Sequence, residues 1–211
     1  MHNKILNIYN LLYDFFGPQN WWPGETPFEV MVGAVLTQNT NWNNVTAALE
    51  NLKQDNLLAL ETLSALPVHL LAEKIRPAGY FNLKAKRLKN LLTQIQNHGG
   101  SLESFFAADK ETLRERLLEV KGIGPETADS ILLYAADQAS FVVDAYTHRV
   151  LYRHHLIPEE VGYLDIQELF TSSLPEDPVL FNEYHALFVR LGKEYCKKST
   201  PRCSGCPLEK I

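Results

Sequence analysis

The chain has 211 residues, 45% of them hydrophobic and 21% charged, which is enough apolar material for a core in one or two globular domains and too much for a disordered chain. Its 25 acidic and 20 basic residues give a net charge of −5, and its three cysteines, Cys196, Cys203 and Cys206, lie too close together to frame a disulfide-stapled fold. No apolar run is long enough to span a bilayer, and the opening "MHNKILNIYNLLYDFF" mixes polar and apolar residues where a signal peptide would carry an apolar core, so a cytoplasmic protein without membrane attachment is expected.

Apolar residues recur at helical spacing along nearly the whole chain. Stripes run through 4–16, 27–36 and 42–52, and then through Leu88, Leu91, Leu92 and Ile95. Further stripes follow at 110–118, at Ala128, Ile131, Leu132 and Ala135, at 144–154 and at 179–195. Between them, "GPQNWWPGETP", "RPAGYFN", "NHGGS" and "LPEDP" carry loop chemistry. Only "SFVVDAY" has strand character, and one short apolar run cannot build a sheet without partners. The expected fold class is all-α.

Charge is unevenly spread. From Lys74 to Leu102 there are six basic residues (Lys74, Arg76, Lys84, Lys86, Arg87, Lys89) and no acidic one, and from Lys193 onward basic residues outnumber acidic ones. Net charge averages over faces, so a negative total does not exclude a nucleic-acid partner. Runs of this kind also arise as ordinary solvated helix faces.

The stretch "VKGIGPETADSILLYA" reads as a helix start. Gly124 falls at the N-cap, Pro125 at the first helical position where a missing N–H costs nothing, and Glu126 in the first turn where the dipole favours a carboxylate. The amphipathic "KETLRERLLEV" precedes it, so two helices meet across a turn at Lys121, Gly122, Ile123 and Gly124. Glycines permit a positive φ and close approach of a ligand, and the amides opening the second helix suit an anion such as phosphate. It is not a dinucleotide fingerprint, because a helix rather than a strand comes first and the third glycine is missing. A turn of this composition also serves simply to join two helices.

Helix, "KGIG", helix and then "VVDAYTHRV" resemble the helix-hairpin-helix DNA glycosylases of the endonuclease III superfamily. "GAVLTQNTNW", "AGYFNLKAKRL" and the C-terminal "CKKSTPRCSGC" extend the resemblance in the same order over nearly the whole chain. It implies a catalytic aspartate at Asp144, whose other reading is a helix N-cap, and a nucleoid-associated enzyme of base excision repair acting on damaged double-stranded DNA as a monomer. In the DNA-facing loops it implies that Gln38 enters the space left by a flipped nucleotide and Tyr80 wedges the opposite strand, with Asn39 and Asn82 fixing the loops. Lys84, Lys86, Arg87, Lys121, Gly122, Gly124 and Thr127 would approach backbone phosphate, as would Lys197, Lys198 and Arg202. Carbonyls of Leu118, Val120 and Ile123 would take K+ or Na+ at the hairpin.

Two departures narrow the resemblance. Bifunctional relatives carry a lysine at the position of Glu126, and glutamate cannot form an imine with a sugar aldehyde. Together with "WWPGETPFEVMVGAVLTQNT", this looks like the 3-methyladenine DNA glycosylase III branch, with Trp21 and Trp22 offering aromatic faces to an alkylated purine. The second departure is in the cysteines. Their Cys-x6-Cys-x2-Cys spacing is similar to the first three ligands of the family's [4Fe–4S] loop, and the fourth would fall at position 212, one past Ile211. A chain cut short, a different fourth ligand and a degenerate cluster all remain open. Zinc is a rival, although no histidine follows His185.

The architecture implied is two helical domains flanking a cleft. Residues 21–132 would form a six-helix domain with the hairpin, and residues 1–20 with 133–211 a second domain holding Asp144 and the cysteine loop. Two other functions compete: an endonuclease III-like glycosylase for oxidised pyrimidines or mismatched bases, and a non-catalytic helix-hairpin-helix DNA-binding protein.

Overall fold

A computed structural model describes residues 2–21 and 24–211. Trp22, one of the two expected base-pocket residues, lies outside them. Among the described residues there are helices and no strand, and no helix is long and apolar enough to cross a membrane. The chain divides into two compact units, Met1–Trp21 with Ala139–Ile211, and Trp22–Gln138.

Helix α1 (His2–Phe16) belongs to the first unit. The second unit contains α2 (Pro27–Leu36), α3 (Trp42–Gln54), α4 (Leu60–Ala65), α5 (Val68–Lys74), a single 3-10 turn (Arg76–Ala78), α6 (Phe81–Asn97), α7 (Leu102–Phe106), α8 (Lys110–Leu118) and α9 (Pro125–Tyr134). The chain then returns to the first unit with α10 (Ala145–Arg153), α11 (Tyr163–Thr171) and α12 (Pro178–Glu194). The family resemblance implied six helices for the hairpin domain, whereas the described residues of this unit hold eight α-helices and the 3-10 turn. Helices α4, α5 and α7 span too few residues for a 3.6 period to show.

Helix α2 is apolar on nearly all sides, and Val30, Met31, Val32, Val35 and Leu36 are each at most 2% exposed, so it forms the middle of its unit. Thr26 caps it by accepting from Glu29 N, with Pro27 at the first position, and Asn41 and Asp109 cap α3 and α8 in the same way. The bidentate pair of Arg114 on α8 with the fully buried Asp129 on α9 ties the two hairpin helices together, at 2.8 and 3.1 Å. The first unit has an aromatic core. Phe141 stacks on Phe170 with centroids 3.8 Å apart, Tyr184 on Phe188 at 4.8 Å, and Phe181 meets Phe141 edge-on.

In "SFVVDAY" residues 140–144 form no regular element and pair with no strand among the described residues, and Ala145 and Tyr146 already belong to α10. Phe141, Val142 and Val143 are buried, and two of their backbone polar groups are met by side chains of α11. Gln167 donates to Phe141 O at 2.8 Å, and the Tyr163 hydroxyl accepts from Val143 N at 3.3 Å. At these two groups side chains thus take the place of a neighbouring strand, and the chain runs on to Asp144.

Candidate active site

Asp144 is the N-cap of α10. Its Oδ1 accepts from Thr147 N at 2.7 Å and from the Thr147 hydroxyl at 2.9 Å, while its Oδ2 faces His185 Nε2, on α12, at 3.5 Å. The two side chains are 12% and 8% exposed. Burial alone would raise the Asp144 pKa, but the hydrogen bond and charge of His185, followed by the two Thr147 hydrogen bonds, outweigh it and hold the carboxyl below its ordinary range. The N-cap reading of this residue and the reading of a buried anion describe the same geometry. His185 was not singled out in the sequence, since it belongs to no motif and lies far along the chain from its partner.

Trp21 lies beside the same pair. Its ring centroid is 6.1 Å from that of His185, with a 54° tilt, and it lines a pocket of about 200 Å³ with Gln19, Ala186, Arg190 and Lys193. Arg190 is fixed there by Phe16, whose carbonyl it bonds and whose ring lies 4.7 Å from its guanidinium, and by Glu194.

In the other unit the hairpin forms as its sequence implies, with one difference between its glycines. Gly122 has φ +102, and an added Cβ would come within 2.5 Å of Arg87 Cγ, so both conformation and space require glycine. Gly124, with φ −102, is extended, and nothing lies within 4 Å of its would-be Cβ. Its lack of a side chain leaves open ground at the head of α9, where no side-chain cap is present and Lys121, Gly122 and Glu126 are exposed. Of the cation-site carbonyls, Leu118 ends α8, and Val120 O accepts from Ile123 N at 2.9 Å across the turn.

Gln38 is bound to the hairpin. Its amide donates to Gly122 O at 3.1 Å and to the Thr127 hydroxyl at 2.9 Å, and its Oε1 accepts from Arg87 Nη1. Thr127 is therefore buried as a partner of Gln38, and Arg87 is half-buried over Gly122. Asn39 and Tyr80 both hold left-handed backbone, with φ of +54 and +46. For a tyrosine this conformation is strained, and it directs a ring that is 69% exposed away from the unit. Asn82 and Lys86 are also exposed.

The basic run needs a correction. Lys84 is not a surface cation: it is 1% exposed, and its Nζ donates to Leu36 O at 2.8 Å and Ala78 O at 2.7 Å. Burial pushes its pKa down, helped by the charge of Arg87. Lys89 likewise donates to Leu63 O and Ser64 O, and Lys74 pairs with Asp55. Much of this positive charge holds helix ends together. The sequence did contain the signal, because Lys84 stands four residues before Leu88, on the apolar stripe of α6.

At the C-terminus Cys196 is buried, Cys206 half-buried and Cys203 exposed. Arg153 reaches Cys196 Sγ at 3.4 Å and donates to Lys197 O and Lys198 O, while Arg149 donates to Cys196 O. Burial raises the Cys206 thiol pKa. Among the described residues no three His, Cys, Asp or Glu side chains form a metal-binding group. Cys196, Cys203 and Cys206 would supply three of the four thiolates that a [4Fe–4S] cluster takes. Lys198 and Arg202 are exposed and Lys197 is half-buried.

An all-helical fold, a glycine hairpin at a helix head and a buried aspartate capping a later helix together describe a DNA-repair glycosylase fold. The chain belongs to the HhH-GPD superfamily of base excision DNA repair proteins, whose profile matches residues 32–176. It is 49% identical, over 98% of its length and 94% of the relative's, to a candidate DNA repair glycosylase of Methanocaldococcus jannaschii. Among solved structures, the Helicobacter pylori 3-methyladenine DNA glycosylase bound to 1,N6-ethenoadenine matches with a TM-score of 0.78 and 32% identity, covering 90% of this chain and 97% of that one. A non-covalent endonuclease III–DNA complex shares the fold, with a TM-score of 0.84 and 20% identity over 99% and 94% of the two chains. The protein is a DNA glycosylase of base excision repair, and DNA is its substrate.

Proposed function

We propose that the enzyme is monofunctional and hydrolyses the N-glycosidic bond of a flipped-out alkylated purine such as 3-methyladenine. The observation that carries this reading is the Asp144 carboxylate, kept anionic in a nearly closed site beside an aromatic face. The 32% identity to a 3-methyladenine glycosylase supports the same base class.

The chemistry follows from charge. As the base departs, the sugar gains oxocarbenium character, and a fixed carboxylate stabilises that charge and orients the attacking water. Trp21 offers a π-face against which an electron-poor alkylated purine stacks. Extrusion costs a few kcal/mol, less at a damaged pair, and Gln38 and Tyr80 occupy the space and wedge the helix, with Asn39 and Asn82 shaping their loops. Lys86, Lys121, Lys197, Lys198 and Arg202 take phosphates, as do the open amides around Gly122 and Gly124, with a monovalent cation on the carbonyls of Leu118, Val120 and Ile123. Glu126 stands where a lyase has its lysine and offers no amine, so the strand is left intact.

Duplexes each carrying one defined lesion test this directly. Alkylated purine should be released, the strand should break only after alkali, and borohydride should trap no crosslink. Asp144→Asn should lower single-turnover release by about 10²–10⁴-fold while leaving affinity for undamaged duplex unchanged. Preferred release of an oxidised pyrimidine, or stoichiometric crosslinking, would replace this reading.

A further inference from the structure

The two oxygens of Asp144 have different surroundings. Capping α10 occupies Oδ1, which takes both the amide and the hydroxyl of Thr147. Nothing in helix capping asks for a group on Oδ2, yet a buried imidazole from a different helix faces it. Burying a histidine that far carries a desolvation penalty, which only a polar partner offsets. The same imidazole also neighbours the ring of Trp21, at 6.1 Å between centroids. It therefore touches both the carboxylate and the aromatic side chain, with Oδ2 the oxygen left for chemistry once the cap is made.

We propose that His185 is a positioning residue for the glycosylase reaction, fixing the charge and direction of Asp144 Oδ2 and setting it relative to the Trp21 ring. This rests on the reading of Asp144 as the catalytic carboxylate. An imidazole suits the task because Nε2 can carry a proton in the neutral ring as well as in the cation. As a donor to Oδ2 it favours the carboxylate over the carboxylic acid, and so keeps the negative charge that the sugar cation needs. Other polar groups on the packed helices are engaged elsewhere. On α10, Arg149 and Arg153 donate to carbonyls of the cysteine loop and His148 contacts Glu159 O. On α12, Glu183 accepts from Gln19 N, and on α11 Tyr163 meets Val143 N. Thr147 and His185 are thus the groups that govern the carboxylate.

Two variants separate positioning from packing. His185→Phe keeps a ring against Trp21 and has no N–H, whereas His185→Gln keeps a donor. In single-turnover release from the best lesion duplex, Phe should lose at least about tenfold and Gln should stay within about threefold of wild type, with affinity for undamaged duplex unchanged in both. Without any substrate, the Asp144 carboxyl followed by 13C NMR should titrate at higher pH in the Phe protein than in wild type. If the Phe protein does not fold, His185→Ala takes its place, and added imidazole should restore its rate. A Phe protein as fast as wild type, a Gln protein as slow as Phe, an unmoved carboxyl titration or an Ala protein that imidazole does not rescue would each overturn the proposal. Wild-type enzyme that releases no base from any lesion would instead remove the catalytic reading of Asp144, and the titration would still decide whether His185 sets its charge.

Discussion

The hairpin and the cysteine loop are both rich in exposed cationic or amide groups, but they are held in different ways. The hairpin is closed by its own unit: Arg114 with Asp129 between its helices, Asn90 on Lys121 O, and Gln38 with Arg87 around Gly122. The cysteine loop is tied to the end of α12, through Cys196 N on Leu191 O and Arg202 N on Tyr195 O, and three of its carbonyls accept from Arg149 and Arg153 of α10. One turn is therefore closed by side chains from several helices of its unit, while the other leans on the two helices α10 and α12.

The largest test of this contrast is Arg114→Leu. It removes the cation facing a fully buried carboxylate and should cost about 3–5 kcal/mol in urea unfolding. A loss under 1 kcal/mol would mean that the hairpin is not locked by this pair. Next is Gly122→Ala, where a positive φ and the crowding of Arg87 together predict a loss of about 1–3 kcal/mol. Binding to undamaged duplex should weaken as well, because Gln38 and Arg87 must shift. Unchanged affinity would show that the clamp does not shape the DNA-binding face. The smallest effect is expected from Cys203→Ser, an exposed thiol whose loss should change metal-free stability by no more than about 0.5 kcal/mol. A much larger effect in protein purified anaerobically, abolished by a chelator, would show that the loop gains from a bound metal an order it otherwise draws from α10 and α12.

Those parts of the molecule that depend on local pattern could be read from sequence. The long helices follow their apolar stripes, and the start of α9 follows from Gly124, Pro125 and Glu126. Asp144 was readable as an N-cap from its place before a helical stripe, and its candidacy for catalysis came from the family resemblance. Pairings between remote residues could not be read this way. His185 looks like any helical histidine until α12 is packed against α10, and Arg114 and Asp129 look like two solvated charges until their helices meet. Lys84 misled because a run of cations suggests a surface, whereas its position on the apolar stripe of α6 placed it inside.

Lys84 also links two loops. Its ammonium grips Leu36 O, just before the segment carrying Gln38, and Ala78 O, just before Tyr80. The two segments share one fulcrum, so a push on either is felt by the other, and they behave as two tines of a single fork rather than as independent fingers. Ordering a fork against any partner surface sacrifices the freedom of one body where two loose loops would each surrender their own.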